Sequence, residues 1–301
     1  MTTTLLARPK INLGLKITGR RPDGYHELDS FFYPLEEPHD RIAIHTRPEQ
    51  GIKVICHNCH IPRENNSLVR SYQAMEKMGL ELPGLVLELH KGIPMGAGLG
   101  GGSCDAACLL NFLNAALPVP LSPTQLADIA LSVGADVPFF LRQKPARVQG
   151  LGEKISPCEA AFLPCWLVLV TPAVHIDTGW AYGDYDRLVA NGDIAPQALT
   201  KKSFASRLFL LLSEDDGGQQ LRKVAWNLDN DLELPVMRAH PFLAALKQEL
   251  WDGGASAVAM SGSGSSLYAL FPPEEEELAR LCAEKLSAQG LPVFRQWIGR
   301  R

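Results

Sequence analysis

The segment from Pro94 to Ser103 holds five glycines in ten residues, the feature of this sequence that points most directly to chemistry. Glycine loses more conformational entropy on folding than any other residue, so this density indicates unusual dihedrals or close approach to a ligand. An apparent strand, 85–90, precedes the segment, and an apparent helix, 104–116, follows it. Helix N-termini present free amide groups and a positive dipole end to anions. The sequence therefore predicts a phosphate-binding loop in which Ser103 opens the helix.

Two better-known glycine loops fit this run poorly. A Walker A loop would close with Gly-Lys-Ser/Thr, which is absent. Gly96, Gly98 and Gly101 do satisfy the dinucleotide fingerprint, but the expected acidic residue about twenty positions later is missing. Residues 117–122 read LPVPLS instead. A dinucleotide-binding oxidoreductase is therefore disfavoured, and a tight turn without a ligand is the remaining structural alternative.

Two further positions carry polar groups that could act on a substrate. Aliphatic residues alternate with polar ones over 11–17, which predicts a half-buried strand with Lys10 and Asn12 together on the other face. Asp136 follows a predicted helix and precedes Pro138, so we expect it in a short connector of the kind that often carries functional groups. By pattern alone, an ordinary loop aspartate explains Asp136 equally well.

The composition indicates a globular protein with two domains. The chain has 301 residues, 46% of them hydrophobic and 21% charged, with a net charge of −4, so no basic field favours nucleic acid. We expect domains at 1–156 and 157–301, because the composition changes near residues 153–160. The N-terminus lacks the apolar core of a signal peptide, and the longest apolar stretch is too short for a bilayer. Together with seven cysteines of irregular spacing, these features predict a cytoplasmic protein without a membrane partner.

The segment Cys56–His60 matches the haem-attachment pattern C-x-x-C-H and could also offer zinc ligands. No second cysteine or histidine pair follows at the spacing of a zinc finger. We therefore interpret it as a loop without a catalytic role, with a redox or adventitious metal role as the alternative.

Three motifs together resemble the GHMP small-molecule kinases, which include galactokinase, homoserine kinase and mevalonate kinase. They are Pro9–Leu13, Pro94–Ser103 and Ser261–Gly264, in the order that the family has them. The resemblance implies a two-domain α+β fold. Its N-terminal domain would be ribosomal-protein-like and hold the glycine-rich phosphate loop, and its C-terminal domain would be ferredoxin-like. Periodicity alone indicates only a mixed α/β protein of two domains.

Further segments resemble one branch of the family more closely: Arg21–His26, Gly134–Pro138 and Asn230–Glu233. That branch transfers the γ-phosphate of ATP to the 2-hydroxyl of 4-diphosphocytidyl-2-C-methyl-D-erythritol, in the non-mevalonate pathway to isoprenoids. The alternatives are another GHMP kinase, acting on homoserine or mevalonate, and a nucleotide-sensing protein without catalysis. The implied partners are small molecules only, and the oligomeric state stays open.

The resemblance also implies a role for individual residues. Asp136 would be the general base, and Lys10 would keep it ionised and orient the hydroxyl. ATP would arrive with Mg²⁺, which Ser103 could reach. The implied substrate-binding residues are Asn12, Tyr25, His26, Thr178 and Tyr182. The implied ATP-binding residues are Asn66, Ser67, Lys91, Pro94, Gly96, Ala97, Gly98, Leu99, Gly100, Gly101, Gly102 and Ser103.

Overall fold

A computed structural model describes residues 2–158, 164–194, 205–208 and 228–299 of the chain. The strands are β1 (Thr2–Ala7), β2 (Lys10–Arg20), β3 (His26–Pro34), β4 (Asp40–Arg47), β5 (Ile52–Cys56), β6 (Gly84–His90), β7 (Ala146–Gly150), β8 (Lys154–Pro157), β9 (Cys165–Val170), β10 (Ala257–Met260), β11 (Leu267–Phe271) and β12 (Val293–Ile298). The helices are α1 (Ser67–Glu76), α2 (Gly101–Ala116), α3 (Pro123–Val133), α4 (Val137–Phe140), α5 (Thr178–Ala190), α6 (Glu233–Ala239), α7 (Pro241–Asp252) and α8 (Glu276–Ala288). Within the described ranges, no helix has the length and apolar character needed to cross a membrane.

The chain folds into two compact units that are each built from several stretches. The first unit comprises Met1–Pro9, Glu36–Met95 and Gly100–Lys144, and the second comprises Lys10–Leu35, Gly96–Leu99 and Pro145–Arg301. The glycine loop therefore contributes to both. The expected domain boundary between residues 156 and 157 stays a prediction.

The first unit packs helices against one face of a four-stranded sheet. The strand order is β1-β4-β6-β5, in which β5 is parallel to β6 and the other pairs are antiparallel. On β6, Leu85, Leu87 and Leu89 are buried, whereas Glu88 is half-buried and His90 is exposed. This alternation places the leucines on the face covered by α1 and α2 and leaves the polar residues on the outer face.

The second unit contains two antiparallel four-stranded sheets. One has the order β2-β3-β7-β8 and the other has the order β10-β11-β9-β12. The second sheet, with helices between β9 and β10 and between β11 and β12, has the strand order of a ferredoxin-like fold. One apolar core joins this sheet to α5, α6, α7 and α8. The predicted α+β fold is confirmed.

Most predicted elements are present, and two local predictions are wrong. The strand predicted over 11–17 is not half-buried, because all residues from Lys10 to Leu15 are buried. The helix after the glycine loop begins at Gly101, with Gly100 as its N-cap, so Ser103 lies within its first turn. Asp136 lies, as expected, in the three-residue connector between α3 and α4, where it is the N-cap of α4; Pro138 stands in the first turn of that helix, where a proline gives up no hydrogen bond.

Candidate active site

The glycine loop has a left-handed backbone at every second residue. The φ angles of Gly96, Gly98 and Gly100 are 64°, 75° and 72°, in a region that residues with a Cβ disfavour. Turns of this kind bring successive amide groups to one side of the chain, where they form a concave anion site. These backbone dihedral angles therefore explain why the loop contains so many glycines.

The carbonyl oxygens of residues 96–99 bond to other segments of the second unit, to which these loop residues belong. Four consecutive carbonyl oxygens each accept at least one hydrogen bond. Gly96 O accepts from Ile176 N (3.3 Å), and Ala97 O accepts from Ser266 N (3.2 Å). Gly98 O accepts from Ser261 Oγ (2.9 Å) and Lys10 Nζ (3.2 Å), and Leu99 O accepts from Lys10 N (3.1 Å). A planar trans peptide directs its N–H opposite to its carbonyl, so the next amides face away from these partners. Among the described residues, none accepts a hydrogen bond from the amides of residues 96–103.

A second glycine-rich loop, residues 261–265, packs directly on the first. A Cβ on Gly98 would lie 1.9 Å from Ser261 O and 3.0 Å from Gly264 N, so no side chain fits there. Asn230 holds this second loop from behind, donating from Nδ2 to Met260 O (2.9 Å) and Gly262 O (2.8 Å). The position of the first loop therefore depends on that of the second.

Lys10 is a buried cation with a fixed direction. Its side chain is 3% exposed, and its ammonium donates to Asn12 Oδ1 at 2.5 Å and lies 4.6 Å from the centre of the Phe32 ring. Asn12 in turn donates from Nδ2 to Ser30 Oγ at 2.9 Å. Both ends of the Asn12 amide are thus engaged within the protein, so the observed role of Asn12 is to orient Lys10. Substrate binding by Asn12 stays a prediction.

In the first unit, the start of α2 lies beside two other predicted site segments. A Cβ on Gly102 would lie 3.6 Å from Ser67 Oγ, and a Cβ on Gly134 would lie 4.0 Å from Ser103 Oγ. Asp136, two residues after Gly134, is half-buried at the start of α4. The structure therefore brings Ser67 and Ser103 to the first turn of α2 and places Asp136 on the turn beside it.

Asn66 caps the other helix that reaches this region. Its side chain accepts a hydrogen bond from Leu68 N at 3.0 Å and begins α1, as expected for an asparagine at this position. It is buried. The predicted contact of Asn66 with ATP stays a prediction beside this structural role.

Lys91 belongs to a buried ion cluster next to the start of α2. Its ammonium bonds to Asp105 Oδ2 at 2.9 Å and, very closely, to Asp40 Oδ2, and a Cβ on Gly101 would lie 3.3 Å from it. Burial works to lower the pKa of Lys91, but the two carboxylates outweigh it and raise the pKa above its usual value. Lys91 is therefore a buried cation that lies against Gly101, where the glycine loop meets α2. Its predicted contact with ATP stays a prediction.

The two aspartates of this cluster have unequal surroundings. Asp40 Oδ1 accepts from the amides of Gly92 (2.7 Å) and Ile93 (2.8 Å). Asp105 Oδ1, by contrast, is buried without a hydrogen-bond partner among the described residues. Burial raises the pKa of Asp105, the attraction of Lys91 lowers it, and the charge of Asp40 raises it again. The net direction of the pKa shift is upward, because burial is its largest cause and the single ammonium is shared between two carboxyl groups.

The second unit holds a separate group of aromatic and polar side chains at the start of β3 and on α5. The rings of His26 and Tyr182 stack with their centres 4.8 Å apart, and His26 Nε2 bonds to Asp186 Oδ1 at 2.7 Å. Thr178, Tyr182 and Asp186 are spaced four residues apart on α5 and share one face. Thr178 Oγ1 is 3.0 Å from Ser263 Oγ, which links this face to the second glycine loop.

Tyr25 differs from its neighbours in being open to solvent. The residue is 66% exposed, whereas His26 and Tyr182 are half-buried. An exposed tyrosine next to a held histidine is available for stacking on a flat ligand. Stacking by Tyr25 and a second wall formed by Tyr182 stay predictions, and the observed contact of Tyr182 is with His26.

Comparison with known proteins agrees with this arrangement. The family models of the GHMP kinase N-terminal and C-terminal domains match residues 66–144 and 210–290. A 4-diphosphocytidyl-2-C-methyl-D-erythritol kinase from Nitratidesulfovibrio vulgaris, strain Hildenborough, is 40% identical over 291 residues, 97% of each chain. One from Lawsonia intracellularis is 39% identical over 276 residues, 89% of this chain and 88% of that one. The chain belongs to the 4-diphosphocytidyl-2-C-methyl-D-erythritol kinases, within the GHMP kinase family.

Solved structures give the same family and show how widely its fold is shared. The crystal structure of a 4-(cytidine 5'-diphospho)-2C-methyl-D-erythritol kinase matches with a TM-score of 0.75 and 31% identity over 99% of this chain and 100% of that one. A homoserine kinase from Cytophaga hutchinsonii matches with a TM-score of 0.67 and 16% identity over 100% of this chain and 96% of that one. At that identity the second match shows the fold alone.

Several residues of this GHMP kinase that hold the candidate site residues in place could not be recognised in that role from the sequence. Asp186 could have been found from its spacing of four residues from Tyr182, although nothing local marks it as a partner of His26. Asp40 and Asp105 carry no motif, and only the folded chain brings them to Lys91. Asn230 was part of a recognised motif, but the sequence did not show that it holds the second glycine loop.

The stability of the kinase should depend on pH through Asp105. Its raised pKa lets the native state keep a proton that the unfolded chain releases above about pH 4. This contribution is complete below that pH and is lost as the pH rises toward the raised pKa. Asparagine does not titrate, so the stability of Asp105→Asn relative to the parent should rise between about pH 5 and about pH 8, by at least about 1 kcal/mol.

Urea unfolding of both proteins at the two pH values measures this difference. Asp128→Asn, on the exposed side of α3, is the matched control and should show no trend. A relative stability that instead falls with pH would mean that Asp105 is ionised and held by Lys91.

Gly102→Ala should weaken ATP binding without harming the fold. Gly102 is exposed in a helix, and an added Cβ meets only ordinary contact distances. The methyl group would nevertheless enter the space between Ser67 and the first turn of α2. We expect the KM for ATP to rise about tenfold, equivalent to about 1.4 kcal/mol.

Gly183→Ala provides the control, since Gly183 is exposed in α5 with no atom near the added Cβ. Its KM for ATP should equal that of the parent. Equal KM values for all three proteins would remove the first turn of α2 from the ATP site.

Proposed function

We propose that this GHMP kinase transfers the γ-phosphate of ATP to the 2-hydroxyl of 4-diphosphocytidyl-2-C-methyl-D-erythritol, giving the 2-phosphate and ADP. Phosphate-binding loops occur in every GHMP kinase, so the loop alone supports only a kinase. The observation that carries the choice of substrate is the group formed by Tyr25, His26, Tyr182 and Asp186, which suits a flat base with a polar edge. Homoserine and mevalonate have no such base.

The phosphate groups of ATP fit the amides that the loop leaves without acceptors. The N–H groups of residues 97–100 follow the four carbonyls held by the second unit, and those of Gly101 to Ser103 belong to the free first turn of α2. Both sets favour a bound anion. Mg²⁺ comes with ATP and neutralises phosphate charge, and Ser103 offers it a hydroxyl in this turn.

Asp136 acts as the general base in this proposal. As the substrate hydroxyl oxygen bonds to the γ-phosphorus, its proton passes to the Asp136 carboxylate and the bond from phosphorus to the ADP oxygen breaks. Lys10 supplies a cation that orients the hydroxyl. Asn12, Phe32 and Gly98 O support this role by holding the ammonium in one place. Fixed position matters here, because phosphoryl transfer depends mainly on alignment and charge.

His26 reads the edge of the base in this proposal. A carboxylate only accepts hydrogen bonds, so Asp186 fixes the proton on His26 Nε2, and in the neutral imidazole Nδ1 is then an acceptor. The amino group of cytosine is a donor, whereas uracil presents a carbonyl at that position. An accepting Nδ1 therefore favours cytidine over uridine, and Tyr25 offers the face on which the base stacks.

Release of ADP from Mg-ATP tests the reaction and the substrate together. We expect turnover with 4-diphosphocytidyl-2-C-methyl-D-erythritol and none with homoserine or mevalonate. In the same assay Asp136→Asn should lower kcat by about 10²–10⁴-fold with little change in the KM for ATP, because the carboxylate acts on the hydroxyl.

The outcomes separate the alternatives. Turnover with homoserine or mevalonate would keep the kinase and discard the cytidine site. ATP binding without turnover on any of the three would favour a nucleotide-sensing protein. Unchanged kcat in Asp136→Asn would remove Asp136 from the chemistry.

Asp186→Asn tests how the base is recognised. An amide both donates and accepts, so it no longer fixes the proton of His26. We expect the preference for the cytidyl over the uridyl substrate, as a ratio of kcat/KM values, to fall about tenfold, the size of one hydrogen bond. Asp184→Asn is the control, because Asp184 lies on the same helix and pairs with Arg187 instead. An unchanged ratio in Asp186→Asn would contradict the role of His26 Nδ1.

A further inference from the structure

The outer face of the first unit's sheet carries imidazoles around a carboxylate. Glu88 and His90 are two residues apart on β6 and project from the same face. β5 runs parallel to β6 with Cys56 opposite Leu89, and His57 N donates to Leu89 O at 3.0 Å. His57 therefore continues this ladder by one residue and comes to lie beside His90.

The distances in this cluster are close to those of a metal site. Glu88 Oε2 is 2.9 Å from His57 Nε2, and the centres of the His57 and His90 rings are 4.2 Å apart. One donor atom from each of His57, Glu88 and His90 lies within 4.8 Å of the others. Zinc bonds of about 2.0–2.2 Å place neighbouring ligand atoms of a tetrahedron about 3.5 Å apart. Small side-chain rotations would therefore bring all three donors onto one ion.

The surroundings hold these donors in place. Asn58, next to His57, bonds in both directions to the backbone of Lys91, with Nδ2 donating to Lys91 O (2.7 Å) and Oδ1 accepting from Lys91 N (2.9 Å). His45 Nε2 lies 3.4 Å from Glu88 Oε1, while its Nδ1 is 3.2 Å from Thr2 Oγ1. A hydrogen bond on the second ring nitrogen is typical of histidines that bind metals. His45 thus contacts the other carboxylate oxygen of Glu88 and orients that side chain from outside the group of three donors.

We propose that His57, Glu88 and His90, with His45 beside them, form a site for a divalent transition-metal cation of the Zn²⁺ type. Two or three imidazoles with one carboxylate are a donor set for Zn²⁺, Cu²⁺ or Ni²⁺. Mg²⁺ prefers oxygen ligands, so this site is chemically distinct from the ion that accompanies ATP.

The proposed site takes one residue from the Cys56–His60 segment, but none of the residues that define its C-x-x-C-H pattern. His57, inside the pattern, belongs to the cluster, whereas Cys56, Cys59 and His60 are not among its donors. The two cysteines therefore define the competing explanation that an experiment must separate.

Calorimetric titration of the full chain with Zn²⁺, without nucleotide, tests the proposal. We expect one equivalent to bind, and we expect the combined variant His57→Gln/His90→Gln to bind at least about tenfold more weakly. Both histidines are exposed, and circular dichroism checks that the variant is folded. His60→Gln, an exposed histidine of the same segment, should bind like the parent. Absent saturable binding, or equal affinity in the combined variant, would overturn the site.

Co²⁺ distinguishes the donor atoms. We expect visible cobalt bands without the near-ultraviolet band of a cobalt thiolate, and full binding in Cys56→Ser/Cys59→Ser. A thiolate band, or loss of binding in that variant, would assign the metal to the cysteines and overturn the proposal. Because binding is measured without ATP, the result is independent of the kinase reaction.

Discussion

The conformation of the glycine loop depends on the hydrogen bonds that hold its carbonyl groups. Each peptide unit carries an acceptor opposite its donor, so an outward amide requires an inward carbonyl, and a buried carbonyl requires a partner. Lys10, Ser261, Ile176 and Ser266 provide those partners. Glycine allows the backbone to alternate in this way, but the hydrogen bonds from the second unit select this conformation among the many that glycine permits.

Residues far from any substrate are also needed to hold the partners of the loop carbonyls in place. Ser261 can bond to Gly98 O only if the second glycine loop is fixed, and Asn230 fixes it through two carbonyls. Asp231 holds β2 by accepting from Ile17 N and Lys16 Nζ, both at 2.8 Å. Glu233 accepts from Met260 N at 2.7 Å and from Lys247 at 2.5 Å, and burial raises its pKa. The observed contacts of the motif Asn230–Glu233 thus hold β2 and the second glycine loop in place.

Local signals in the sequence predicted much of the fold and the general chemistry of the site. The capping box of α3, with Ser122 and Gln125, involves neighbours in sequence, so a local pattern is enough to indicate it. The burial of both faces of β2 could not be predicted, because its cause is remote: the hydroxyl of Tyr268 donates to Asn12 O from 256 residues away. The pairing of His26 with Asp186 is equally non-local. Periodicity records which face is apolar, but a polar residue that is buried by a distant partner leaves the same pattern as one in water.

The ion cluster of Lys91, Asp40 and Asp105, next to the start of α2, affects the electrostatic field that a highly charged ligand of the kinase would meet there. Two ionised aspartates and one lysine would leave a net negative charge under an anion site, and in a buried setting such a charge acts over several ångströms. Lys91 is the member nearest to Gly101, so the positive end of the cluster faces the start of the helix. A proton on Asp105, which its burial and the neighbouring charge of Asp40 favour, removes the excess negative charge. The cluster is then neutral overall, with its ammonium toward the start of the helix, so it does not oppose the helix dipole.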